Sequence, residues 1–100
     1  MKNQKDISGE FLRAIGKNVR EKRKEKHLSL EKLGIEIGMS RSMVLRIEKG
    51  LNITMTTVLK LMIALNVKCD DLLKSDRKYK KGDLEKLVEN SKGNRMRSKK

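Results

Sequence analysis

Twenty residues, Leu30 to Lys49 (LEKLGIEIGMSRSMVLRIEK), constrain this chain more than any other stretch. Leu33, Ile37, Val44 and Ile47 recur at helical spacing and face a shared core. Gly34 leaves no side chain where two helices would cross. Gly38 follows the first apolar pair, where a left-handed residue ends a helix and only glycine escapes the Cβ clash. Ser40 then offers a hydroxyl to cap a second helix, Arg41 to Lys49. Two short helices joined by a tight turn satisfy all of these positions at once. The pattern is a helix-turn-helix.

The flanking segments also read as helical. The chain has no proline and no strand-type alternation, so the expected fold class is all-α. One hundred residues make one small domain with tails, and with only Phe11 and Tyr79 as aromatics the core must be aliphatic and Met packing. Residues 1–8 are expected to fray, apart from Ile7. A first helix should start near Ser8 or Gly9 and run to about Lys26, with Phe11, Ile15 and Val19 as its apolar stripe. His27 ends it, since histidine tolerates positive φ better than most residues. Leu28 packs inward, and Ser29 caps the helix from Leu30 to Ile37. Thr54 caps a fourth helix running to about Leu65. Val67 leads into a fifth, with Asp70 and Asp71 suiting its N-terminal dipole.

The folded domain is thus expected over residues 9–74, with the motif at 30–49 and a basic tail at 75–100. In the tail, Leu84, Leu87 and Val88 recur at helical spacing after Asp83, which reads as a cap. A helix over 83–90 is too short to persist alone. It either docks on the fourth helix or a partner, or stays disordered.

Lys and Arg number 26 against 13 acids, a net charge of +13 that favours polyanions: DNA, RNA or an anionic membrane face. No apolar run approaches the roughly 18 residues of a membrane span, and no signal-like segment follows Met1. A cytoplasmic, nucleoid-associated location without membrane contact is the expectation. Cys69 can form neither an internal disulfide nor a multi-cysteine metal site, and beside Val67 and Leu72 it reads as a packing residue. No metal or cofactor is expected. Nor is an enzyme, for the chain carries no paired-carboxylate pocket, no Ser-His-Asp or Cys-His set and no phosphate-cradling glycine loop.

From about Ile15 to Leu73 the chain resembles the lambdoid repressor and Cro family, also called the xenobiotic-response-element family. The likeness rests on IGKNVREKRKEKHLSLEKLG, SRSMVLRIEKG and VLKLMIALNVKCDDLL. It implies a five-helix repressor-like domain whose third helix enters the major groove of double-stranded DNA. With Val44 and Ile47 inward, Arg41, Ser42, Leu45 and Arg46 are left facing base edges. Arginine can hold guanine O6 and N7 with two hydrogen bonds, serine suits several edges, and leucine can meet a thymine methyl.

The resemblance also implies that Arg23 pairs with Glu48 as architecture, and that the loop after the third helix lies along the sugar-phosphate backbone. Lys49 and Asn52 are its natural phosphate contacts, with Ser40 beside them. Leu30 stands where relatives often carry a phosphate-binding glutamine, so that contact is either missing or taken over by Ser29 or Lys32.

Leu59 and Ile63, four residues apart on a nearly uncharged fourth helix, lie off its core stripe. A small soluble monomer should not expose them, which points to a homodimer contact. The expected function is a sequence-specific DNA-binding transcriptional regulator that represses from a palindromic operator as a homodimer. Three roles fit within the family: phage repressor, restriction-modification controller, and antitoxin, whose toxin-binding segment would have to be residues 76–100. A non-specific nucleic-acid-binding accessory protein and a protein adaptor are the readings from other classes. The terminal NRMRSKK reads either as a solvated tail or as a further phosphate contact.

Overall fold

The computed structural model describes residues 6–90. Six helices follow one another: α1 (Ile7–Glu25), α2 (Leu30–Ile37), α3 (Arg41–Glu48), α4 (Met55–Leu65), α5 (Cys69–Leu73) and α6 (Lys81–Asn90). Among the described residues there is no strand. The expected tail contact of NRMRSKK and most of the N-terminal fraying fall outside them.

Helices α1 to α4 all stop the same way. Each is followed by a residue of positive φ: His27, Gly38, Gly50 and Asn66. In each case the next amide reaches back to a carbonyl five residues earlier: Leu28 to Arg23, Met39 to Gly34, Leu51 to Arg46 and Val67 to Met62. These bonds satisfy carbonyls that a helix end leaves orphaned. The starts are equally local. Ser29, Ser40 and Thr54 accept from the amides of Lys32, Met43 and Thr57, and Asp71 accepts from Lys68.

The core is aliphatic. Val19, Leu33, Ile37, Val44, Ile47, Leu61, Leu65 and Leu72 form one buried cluster drawn from α1 to α5. The long helix α1 packs on α3, α4, α5 and α6 and is the spine of the domain. Two devices fix it there. Asn18, buried on its core face, donates to the carbonyls of Leu72 (2.7 Å) and Lys74 (2.9 Å), tying α5 and the chain beyond it to α1. Gly16 lets α1 touch the end of α3, for a Cβ there would meet the carbonyl oxygens of Glu48 and, at 2.6 Å, Ile47. Neither carbonyl is the end of a flexible side chain, so Gly16→Ala should force the helices apart. A loss of about 1–3 kcal/mol is expected, read as a lower urea midpoint with far-UV helicity unchanged below the transition.

Several expectations need correction. α1 starts at Ile7, not at Ser8 or Gly9, because Asp6 accepts from the Gly9 amide and Ile7 is buried. Phe11 is not in the main core. It meets Tyr79 edge-on at 6.0 Å between ring centroids. Cys69 is exposed, not packed, at the first position of a one-turn helix whose buried residue is Leu72.

The tail helix is present as α6, two residues longer at its start than expected, and it packs on α1 where the sequence pointed to the fourth helix or a partner. Asp83 lies inside the first turn and accepts from the Lys80 amide (3.0 Å), so it is not itself the cap. Arg77 joins α1 to α6. It pairs with Glu10, with Asp83 at 3.0 Å, and lies 5.0 Å over the Tyr79 ring. The hydrogen bond to Glu10 raises the guanidinium pKa above its ordinary value. With Arg77 and Glu10 open to solvent, these pairs locate α6 more than they stabilise it.

Candidate nucleic-acid interface

The turn between α2 and α3 is set by steric fit. Gly38 takes φ of 73°, and a Cβ at Gly34 would strike the Met39 carbonyl oxygen. α2 and α3 can therefore close on each other with Leu33, Ile37, Val44 and Ile47 buried between them and the core. Burying that face leaves the opposite one to solvent. On it stand Arg41, Ser42 and Arg46, all exposed, with Leu45 and Met43 half-buried beside them. Arg41, Arg46 and Lys49 have no carboxylate partner among the described residues, so their charge is available to an incoming anion.

The orientation of α3 is held from behind. Arg23 donates from Nε to Glu48 Oε2 (2.7 Å), from Nη2 to Oε1 (3.1 Å), and from Nη1 to the Leu28 carbonyl (2.8 Å). Both side chains are nearly removed from solvent. A planar guanidinium bonded on both edges fixes direction as well as distance. It ties the last turn of α3 to α1 and to the turn that precedes α2. Neither residue reaches the exposed face of α3.

The residues expected to touch phosphate lie at the N-termini of α2 and α3 and in the loop after α3. Ser29 and Ser40 are exposed at the N-termini of α2 and α3. Each hydroxyl already accepts from a backbone amide, so its proton remains to be donated to a phosphate oxygen. Lys49 and Asn52 are exposed in the loop after α3. Sequence reasoning missed Arg13 here. A Cβ at Gly50 would lie 2.8 Å from its Cγ, so α1 presses directly on this loop, with the Arg13 guanidinium 3.5 Å from Asp6. No sequence signal marks it. Asn18 was also missed, though a polar residue between Ile15 and Val19 on an apolar stripe could have been flagged.

The expected dimer residues lie elsewhere, on α4. Leu59 and Ile63 are 53% and 72% exposed, and Met55 adds a third exposed apolar residue one turn earlier at 68%. At intervals of four they form one stripe. Among the described residues no helix is long and apolar enough to cross a membrane.

A capped helix pair that presents unpartnered arginines from a rigidly held second helix defines a helix-turn-helix DNA-binding domain. The comparisons agree. The family model described as helix-turn-helix matches residues 19–72. A solved structure, the restriction-modification controller protein C.AhdI from Aeromonas hydrophila, is similar at 34% identity and a TM-score of 0.61. The match covers 67% of this chain and 97% of that one. No curated protein matches the chain. The chain belongs to the Cro/cI-type helix-turn-helix family of DNA-binding transcriptional regulators.

Proposed function

We propose that the chain is a sequence-specific regulator that binds a two-fold symmetric operator in double-stranded DNA as a homodimer and represses the promoter it covers. The observation that carries this reading is the exposed face of α3, where Arg41, Ser42 and Arg46 stand free of carboxylate partners among the described residues on a helix clamped from behind by Arg23. A rigid reading helix lowers the ordering cost of recognition, which favours discrimination between sequences over mere attraction to phosphate. Ser29, Ser40, Lys49 and Asn52 flank that face and set register on the backbone. The net charge of +13 supports fast, salt-sensitive encounter. The apolar stripe on α4 supports the dimer, and the cytoplasm is where such a protein meets DNA.

Within this class, the likeness to C.AhdI over nearly the whole of its length favours a controller of a restriction-modification system over a phage repressor or an antitoxin. Selection of bound sequences from a random duplex pool at physiological salt tests the reading. A symmetric enriched motif is the expected result, and no enrichment would leave a non-specific polyanion binder. On the enriched duplex, Arg41→Ala should cost about 1–3 kcal/mol and relax the choice of base at one pair of symmetry-related positions. Equal losses on all duplexes would make Arg41 a phosphate anchor instead.

A further inference from the structure

A cavity of about 230 Å³ opens between α1, the loop after α3 and the first turn of α4. Its floor is Ile15, Ile47 and Val58, all buried, while the exposed Phe11, Asn52 and Met55 stand at its mouth. Voids larger than a water molecule are rare in packed interiors. Water gains little in its depth, because Asn52 is the one polar side chain on the wall. An apolar cavity of about 150 Å³ already accepts a benzene-sized guest. No Lys, Arg, Asp or Glu lines the site, so a charged guest would lose its hydration without compensation.

We propose that this cavity binds a small neutral apolar molecule of aromatic-ring size, and that its occupancy weakens DNA binding. The link is physical. Ile47 belongs to α3, and Leu51 and Asn52 belong to the loop that follows it, which the proposed function sets along the phosphate backbone. A guest held against both couples the position of the loop to that of α3, and a ligand that prefers an arrangement other than the DNA-bound one lowers affinity for DNA. This second half rests on the reading of α3 and its loop as the DNA-contacting surface.

The test uses the full chain with labelled Ile, Leu, Val and Met methyl groups, titrated with toluene in the absence of DNA. Saturable shifts are expected at Ile15, Ile47, Leu51 and Val58, and none with benzoate, the charged analogue. Val58→Phe fills the floor and should abolish the shifts. Leu12→Phe, entering from α1, does the same should the first variant fail to fold by circular dichroism. No saturable shift, or shifts confined to Leu59 and Ile63, would overturn the site. Toluene-saturated protein should then bind its selected duplex about 5-fold or more weakly, with the plugged variant insensitive. Unchanged affinity alongside the methyl shifts would overturn the link to DNA. Should no duplex be selected at all, the DNA reading fails, while the titration made without DNA still decides the site.

Discussion

Glu48→Ala is expected to lose about 3–5 kcal/mol of stability, which for a domain of this size is a large part of the total. The reason is not the strength of the ion pair itself. Removing the carboxylate leaves the Arg23 guanidinium nearly buried with only the Leu28 carbonyl to hold it. A buried charge without its partner is costly, whereas two charges replaced together by apolar groups of similar volume often cost nothing. The double variant Arg23→Met/Glu48→Leu should therefore recover most of the loss. Chemical melts of the two single variants and the double variant close a mutant cycle that separates these terms. A loss under about 1 kcal/mol in the single variant would mean that the pair behaves like a surface contact. The recovered double variant has a second use. It should fold yet bind its preferred duplex less selectively, because α3 would keep its packing and lose its angular clamp.

What the sequence revealed and what it hid divide by distance along the chain. The bounds of α2 and α4 were legible because Ser29, Gly38 and Thr54 act on amides and carbonyls a few residues away. Helical spacing was enough to put Val44 and Ile47 inside, and so to turn Arg41 and Arg46 outward. The Arg23–Glu48 contact spans 25 positions and was reached through the family resemblance, not from spacing. Asn18 reaches residues more than fifty positions away. Arg77 and Tyr79 meet Glu10 and Phe11 across a similar gap, and no local periodicity announces such a pair. That is why Phe11 was grouped with Ile15 and Val19 on one stripe, and why docking on the fourth helix, docking on a partner and disorder all stayed open for α6. Cys69 failed for a different reason. Apolar neighbours say little about facing in a helix of only five residues, where the first turn can swing out to solvent.

Ile63→Asp should give the largest loss of function: a folded monomer whose affinity for a symmetric operator falls by about 10²–10⁴-fold. Ile63 is 72% exposed, so the substitution should leave helicity and melting temperature close to those of the parent chain. In a dimer the same carboxylate would be desolvated against its symmetry mate, at short range from a like charge, with Lys60 beside it as the nearest counter-charge. Met55 and Leu59 extend the apolar stripe along the same side of α4, with Lys60 and Glu36 beside Ile63 at its edge. A monomer keeps Arg41, Ser42 and Arg46 and can still engage one half-site. What it loses is the second half-site, which in the dimer is presented at high effective concentration once the first is bound. Sedimentation equilibrium and titration of whole and half operators measure the two effects independently. A mutant that stays dimeric would remove α4 from the interface. A mutant that is monomeric yet binds the whole operator undiminished would mean that the two half-sites are recognised without a linked pair of helices.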